Sequence, residues 1–418
     1  MNPLESTIDS PTASSLTMPR AGAARAANAS MRAICRMLES LDGGSLAMRL
    51  PEGESLAFGH GAPVAALHLN DLSLFDAVLA QGDIGLAETY IDGHWDSPDL
   101  PRLLTLFADN RETLSRAVYG SFFRLLAARI KHALNANTRT GSRRNIMAHY
   151  DLGNDFYQQW LDPTMSYSAA LYSSDGEKSM ASAQVAKYRR ILRQLDVKPG
   201  DRILEIGCGW GGFAETAARE ANAEVHGITL SPAQLEWAQA RMQAAGLDKQ
   251  VKLELVDYRD LSGSYDHIVS IEMFEAVGER WWPTYFNALA RLLVPGGRAM
   301  IQTITIRDDL FSRYRRGTDF IQQCVFPGGM LPSPSAFARQ AKGAGFVVHD
   351  AFAFGRDYAK TLSGWASAFE QSWPAIAELG FDERFHRLWR FYLAYCEAGF
   401  RSGCTDVYQF ELARDGAR

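Results

Sequence analysis

Two groups of residues in this 418-residue chain could do chemistry. The first is a glycine cluster, Gly207-Cys208-Gly209-Trp210-Gly211-Gly212, which closes the apolar run Ile203–Ile206. Where a buried strand stops at such a cluster and a helix follows, the junction lies at the carboxyl end of a parallel sheet, where ligands bind. Glycine there lets the backbone come close to the ligand. By itself the cluster suits NAD, FAD and S-adenosylmethionine alike. The second group is a carboxylate pair, Glu272 and Glu275, spaced to lie on one side of a helical turn. If both share a pocket, one has a raised pKa and can accept a proton directly. The plainer alternative is that Glu272 caps the following segment in solvent.

The element after the second strand separates the cofactors. A dinucleotide site wants an acid about 20 residues beyond the glycines, to hold a ribose. Here Glu224–Ile228 runs into Thr229-Leu230-Ser231 with no carboxylate. A helix start follows, with Ser231 as N-cap, Pro232 at the first helical position and Gln234 in the first turn. That counts against NAD. A third strand closes at Val256-Asp257-Tyr258-Arg259-Asp260, where an adenine is usually flanked.

Further runs make the pattern specific. They are His149-Tyr150-Asp151-Leu152-Gly153-Asn154-Asp155, Met165-Ser166-Tyr167-Ser168, Met273-Phe274-Glu275, Phe326-Pro327-Gly328-Gly329, and Tyr358 with Trp365. Together with the glycine loop, Thr229-Leu230-Ser231 and Asp257-Tyr258-Arg259-Asp260, they resemble the cyclopropane-fatty-acid synthase family from near residue 45 to the C-terminus. The resemblance implies an α/β chain: a class I methyltransferase with a Rossmann-like seven-stranded sheet and a helical lid, after a small N-terminal α+β domain. It implies transfer of the S-adenosylmethionine methyl to an unsaturated fatty-acyl chain of a membrane phospholipid, giving a cyclopropane. Tyr167, Ser168, Gly207, Gly209, Thr229, Gln234, Tyr258 and Arg259 would line the cofactor.

Methylating an alkene leaves a carbocation, so water must be kept out and aromatic faces can temper the charge. A base then removes a proton from the new methyl to close the ring. In the family that base is thought to be a bicarbonate. Carried over, it would be held by Glu275, Tyr358 and the backbone at Ala169 and Ile304, with Gln302 beside it. This chain departs from the pattern at three places. Ala169 replaces a cysteine, whose backbone N–H survives the change. Gln302 replaces a histidine; its amide can donate a hydrogen bond but cannot carry charge or shuttle a proton. Glu272 stands where the family commonly has glycine, and could replace part of the lost base. A side branch shares this Glu-Met-x-Glu-Ala-Val-Gly look. Some relatives make methyl- or methylene-branched chains, with reduction by a partner, and that is the alternative product. Cys396 matches a cysteine once considered catalytic, yet the chemistry requires no thiol and a buried free cysteine is commonly core.

The elements that must position these groups fall into four regions. Residues 1–30, rich in Ala, Ser and Pro, read as a disordered tail. Residues 31–108 form the small domain, and 109–145 a basic amphipathic connecting helix, with eight Lys or Arg against one acid between Arg111 and Arg144. Its apolar face docks on the protein, its basic face meets anionic headgroups, or both. Residues 146–418 form the methyltransferase domain. Candidate strands there are Ile203–Ile206, Glu224–Ile228, Val251–Val256, His267–Ile271, Arg298–Ile304, Phe346–Phe354 and Val407–Leu412. A helical insertion over Lys360–Arg401 is dense in aromatics, as a core or an acyl-chain tunnel would be.

A net charge of −5 argues against bulk nucleic-acid affinity. The five cysteines show no metal-ligand spacing, so no metal is expected, and free thiols suit a reducing cytosol. No apolar run is long enough to span a bilayer. The expectation is a cytoplasmic enzyme, peripheral at the inner membrane surface, with a homodimer and a reductase partner left open. An amine N-methyltransferase and a non-catalytic cofactor binder are the rival readings.

Overall fold

The structure, a computed structural model, describes residues 29–62, 64–114, 152–172 and 179–414. Nearly all of the expected tail, most of the basic connecting segment and the His149-Tyr150-Asp151 run lie outside these residues.

The small domain comprises α1 (Ala29–Leu38), β1 (Ser45–Arg49), β2 (Ser55–Gly59), β3 (Ala65–Leu69), α2 (Ser73–Gln81), α3 (Asp83–Ile91), β4 (Trp95–Asp96) and α4 (Leu100–Asp109). Its sheet runs β2-β1-β3-β4, with β1 antiparallel to β2 and parallel to β3. Alternation in β1 buries Leu46 and Met48 on one face. Asp99 caps α4 by accepting the Arg102 N–H at 3.0 Å, and Leu100, Leu103, Leu104 and Leu106 form its buried stripe.

In the larger domain, α5 (Asn154–Gln158) and α6 (Met180–Leu195) lead into β5 (Arg202–Ile206). Then come α7 (Gly212–Ala221), β6 (Glu224–Thr229), α8 (Pro232–Ala244), β7 (Val251–Leu255), β8 (Tyr265–Ile271) and α9 (Trp282–Leu292). The chain finishes with β9 (Leu293–Ile306), α10 (Asp308–Tyr314), α11 (Pro334–Gly343), β10 (Phe346–Ala353), α12 (Gly355–Glu378), α13 (Glu383–Arg401) and β11 (Thr405–Arg414). All seven expected strands form, most extended by one to a few residues, into one sheet of order β10-β11-β9-β8-β5-β6-β7. Strands β5 to β9 are parallel, and β11 inserts antiparallel between β9 and β10. Chain direction diverges between β5 and β8, which pair with each other while leading to opposite halves of the sheet. A crevice opens at such a switch point, outside the strand ends. The glycine loop leaves β5 there and Glu272 leaves β8 there. The fold therefore brings the two chemical groups of the sequence to one place.

The helical insertion is an antiparallel pair, α12 and α13, parted at Gly380 (φ +97°) and restarted by Asp382, which accepts the Phe385 N–H at 2.8 Å. Of its aromatics, Trp365, Phe369, Trp389 and Phe391 are core, packed with Phe156 and Trp160 of the cofactor-side segment. Phe391 also packs tilted against Tyr90 and edge-on against Trp95 of the small domain. Arg387 fastens the same seam, donating to the Tyr90 carbonyl at 2.7 Å and the Trp95 carbonyl at 2.9 Å. The lid thus belongs to both domains.

Candidate active site

The glycine loop has the backbone that glycine was needed for. Gly207 and Gly209 lie at φ +86° and +50°. A Cβ on Gly207 would sit 3.0 Å from the Met273 side chain, whereas Gly209 faces open space. Beneath the loop, Glu205 has a buried Oε2 with no hydrogen-bond partner among the described residues, and burial pushes its carboxyl well up. Thr229 at the end of β6 and Gln234 in the first turn of α8 are buried, the Thr229 hydroxyl donating to Gln234 Oε1 at 3.1 Å. At the third strand end, Arg259 forks onto Asp257 at 2.8 and 2.5 Å, and Tyr258 packs edge-on against Tyr285. Arg259, expected beside the cofactor, therefore has its fork on Asp257. This crevice, with glycine backbone and no carboxylate at the end of β6, fits S-adenosylmethionine.

Tyr167 and Ser168 divide between two surroundings. The Tyr167 hydroxyl meets that of Tyr392 at 2.6 Å, in the wall of an internal cavity. Ser168 turns the other way, onto α6. Its hydroxyl accepts from Lys187 Nζ, and its carbonyl accepts from Gln184 at 2.8 Å. Lys187 is fully buried, and burial pulls its ammonium down to about 8 against the opposing pull of Glu272, Asp162 and Glu205. The sequence reading passed over Lys187. The available signal was a pair of polar residues, Gln184 and Lys187, inside the buried stripe of an amphipathic helix.

The acid pocket is built across strands. Glu272 follows β8 with φ +51°, the left-handed region that costs a non-glycine residue roughly 1–2 kcal/mol. The expected helical turn does not join the pair: the turn covers only Phe274–Ala276. Nor does Glu272 cap it in solvent. Its Oε1 accepts the Ala169 N–H at 2.8 Å and the Gln302 side-chain amide at 2.7 Å, and its Oε2 accepts the Tyr358 hydroxyl at 2.6 Å. Glu275 Oε1 accepts the Ile304 N–H at 2.5 Å, while its buried Oε2 has no hydrogen-bond partner among the described residues. Burial, with the Glu272 charge beside it, pushes Glu275 up to about 8. Burial raises Glu272 too, but Lys187, Tyr358, Ala169 and Gln302 all act to hold its anion. Of the two acids, Glu275 is thus the one that holds its proton at neutral pH, and Glu272 the one whose partners favour the anion.

Strand register fixes how Gln302 points. Gln302 pairs with Ile271 on one side and Gln409 on the other. Arg190 can only donate, and its Nη1 reaches Gln409 Oε1 at 2.6 Å. The Gln409 amide nitrogen must then face Gln302 Oε1, at 3.0 Å, leaving the Gln302 nitrogen to face Glu272. A guanidinium thus sets the polarity of a hydrogen-bonded row ending on a carboxylate. Arg190 is itself anchored by Asp350 at 2.6 Å and by the Phe352 ring. Neither Gln409 nor Arg190 stood out in the sequence.

Glu272, Glu275, Ile304, Tyr358 and Cys396 line one cavity of about 210 Å³, otherwise mostly apolar and aromatic. Burial pushes the Cys396 thiol far up, so it stays protonated and serves as wall. Among the described residues, no group of three or more His, Cys, Asp or Glu side chains could hold a metal ion. No described helix is long and apolar enough to cross a membrane.

Sheet order, glycine crevice and helical lid are those of a class I methyltransferase, and the family and solved relatives give S-adenosylmethionine as its cofactor. The mycolic acid cyclopropane synthetase profile matches residues 137–410, and the chain belongs to that family. It is 40% identical over 382 residues to the tuberculostearic acid methyltransferase UfaA1 of Mycobacterium tuberculosis, covering 89% of this chain and 88% of that one. It is 37% identical over 358 residues to the cyclopropane-fatty-acyl-phospholipid synthase of Escherichia coli, covering 85% and 89%. Among solved structures, the mycolic acid cyclopropane synthase CmaA1 complexed with SAH and CTAB superposes with a TM-score of 0.61 at 32% identity, over 65% of this chain and 98% of that one. The cyclopropane-synthase resemblance read from the motifs is therefore correct.

Proposed function

We propose that this enzyme methylates the double bond of an unsaturated fatty-acyl chain of a membrane phospholipid, and that Glu272 accepts the proton that resolves the resulting cation. The product we favour is a methylene-branched chain, reduced to a methyl branch by a partner. The carrying observation is the seat of Glu272. The Ala169 N–H, the side chain at 302 and the Tyr358 hydroxyl are donors that the family resemblance assigns to bicarbonate. Here all three converge on a carboxylate of the chain itself. A glutamate held in a left-handed backbone, where glycine would be unstrained, points to a role beyond packing.

S-adenosylmethionine supplies an electrophilic methyl on its sulfonium. The alkene π pair forms the new C–C bond as the S–C bond breaks, and the neighbouring carbon is left cationic. Tyr167, Tyr358, Tyr392 and Phe400 present aromatic surface around that position, and the apolar wall keeps water away. Protonated Glu275 adds no second negative charge beside the base. After a 1,2-hydride shift, loss of a methyl proton to Glu272 leaves a methylene branch; saturating it needs a hydride and a proton from a reductase. Without the shift, the same proton loss closes a ring.

Branching is supported by the similarity to a tuberculostearic acid methyltransferase along most of both chains. Ring closure, the expectation from sequence, is favoured by the retained Glu275, Ile304 and Tyr358 and by the E. coli relative. Proton NMR of phospholipids from a monoene-rich host expressing the enzyme decides between them. Vinylidene protons, or a methyl doublet when a reductase is present, are expected. Upfield ring-methylene protons would overturn the branching product. Absence of any labelled methyl in lipid would overturn the acyl-chain reading itself.

A further inference from the structure

A second cavity, of about 230 Å³, lies between the small domain and the lid. Ile34, Met48, Leu67, Phe75, Val78 and Leu104 of the small domain line its far side. Tyr314, Asp319, Leu331, Tyr395, Gly399 and Thr405 line both this cavity and the one containing Glu272. These six shared residues form a collar between the two chambers. The collar is tied across the domains: the Tyr395 hydroxyl donates to Asp83 Oδ2 at 2.7 Å, at the start of α3. Arg111 lies within electrostatic reach of Asp83 and Asp319, and burial with the Asp83 charge pushes Asp319 up to about 7.

Methyl transfer itself has no use for an apolar chamber in another domain. An internal alkene, however, carries an alkyl arm on each side of the reacting carbons, and burying such an arm is favourable in proportion to its area. We propose that the small domain's cavity receives the methyl-terminal arm of the acyl chain, which passes Tyr395, so that the two chambers form one channel and the small domain sets the arm length accepted beyond the double bond. The inference rests on the acyl-chain reading above. The methyl-terminal arm is the one assigned because the charged lining of this cavity, Asp83, Arg111, Arg313 and Asp319, is shared with or set beside the collar residues Tyr314, Asp319 and Tyr395, while Ile34, Met48, Leu67, Phe75, Val78 and Leu104 on the far side offer no charged or hydrogen-bonding side chain to an ester or headgroup.

The test uses vesicles of synthetic phospholipids with one internal cis double bond, a fixed carboxyl-side length and a graded methyl-side arm, scored by incorporation of labelled methyl. Val78→Phe and Ala108→Phe, both at half-buried lining positions, narrow the far chamber. They should lower kcat/KM about ten-fold or more for the longest arm and leave the shortest within about two-fold. Phe107→Ala widens it and should shift preference toward longer arms, which keeps the test decisive if a filling variant fails to fold. Equal losses for every arm length, or an unmoved length profile in folded variants, would overturn the channel. If the unsubstituted enzyme labels no acyl chain at all, it is the acyl-chain reading that fails. If it labels them and the length profile does not respond, only the channel fails.

Discussion

The cofactor crevice and the acid pocket are neighbours at one switch point, yet they are built by opposite means. The crevice is local. Eight consecutive residues, Glu205 to Gly212, carry its shape, and Gly207, Gly209 and Gly211 among them take positive φ angles at no steric cost. The acid pocket gathers residues 169, 187, 190, 272, 275, 302, 304, 358 and 409 from two connecting segments, two helices and two strands, and it places a glutamate where the backbone resists it. Binding a cofactor shared by a whole fold class can rest on short-range rules. Choosing the fate of a cation requires charge held against burial, and that takes partners from across the sheet.

The contrast breaks most sharply at Glu272. Glu272→Gln keeps the volume and removes the base, and should lower kcat by ~10²–10⁴-fold, the range for general-base catalysis, with cofactor affinity unchanged. Isothermal titration beside a labelled-methyl assay separates the two; an equal fall in cofactor affinity would mean that crevice and pocket are one unit. Next in size is Glu272→Gly combined with Gln302→His. Relief of the left-handed strain should keep thermal stability level or raise it, by roughly 1 kcal/mol, while activity becomes dependent on added bicarbonate. Activity indifferent to bicarbonate would count against the idea that Glu272 occupies an anion's seat.

Legibility in the sequence follows the same divide. Strand positions, the glycine loop, the Ser231 cap and the missing acid at Thr229 could be read because each depends on residues within a few positions. Glu272, Glu275, Gln302, Ile304 and Tyr358 could be named from their motifs, but their arrangement could not. A helical spacing of three suggested that Glu272 and Glu275 meet side by side on a turn. In fact the chain leaves β8 left-handed, so Glu272 points toward Gln302 and Tyr358 while Glu275 meets the Ile304 N–H. Gln409 was invisible for a related reason. Its partner is set by the register of β11 on β9, a pairing between residues 107 apart. Of the lid aromatics, the sequence allowed core or tunnel; the structure packs Trp365, Phe369, Trp389 and Phe391 in the core and sets Tyr392, Tyr395 and Phe400 in the wall of the cavity.

A smaller effect tests the division of labour between the two acids. Glu275 is raised to about 8, so between the ordinary carboxylate range and pH 8 the folded protein holds a proton that the unfolded chain has released. Stability contributed by this group is full at low pH and is lost as pH rises through the folded value. Glu275→Gln mimics the protonated acid and should flatten that decline between about pH 5 and 8.5, read by denaturant titration at several pH values. Its activity at pH 7 should remain within about ten-fold of the parent, far less affected than Glu272→Gln. A loss as deep as that of Glu272→Gln would exchange the roles of the two carboxylates.

The smallest expected effect probes the row behind the pocket. Gln409→Met deletes the link through which Arg190 orients Gln302, without touching any cavity-lining residue. The Gln302 amide is then free to turn, and each time its oxygen faces Glu272 an acceptor replaces a donor. Losing that hydrogen bond destabilises the anion, so the Glu272 pKa rises and the acid limb of the kcat–pH profile moves to higher pH. At pH 7 kcat should fall by about three- to ten-fold, comparable to one buried hydrogen bond, and recover as the pH is raised, while KM stays level. A packing defect would instead lower kcat at every pH by the same factor. The profile's movement, more than its height, shows whether polarity imposed from Arg190 reaches the carboxylate.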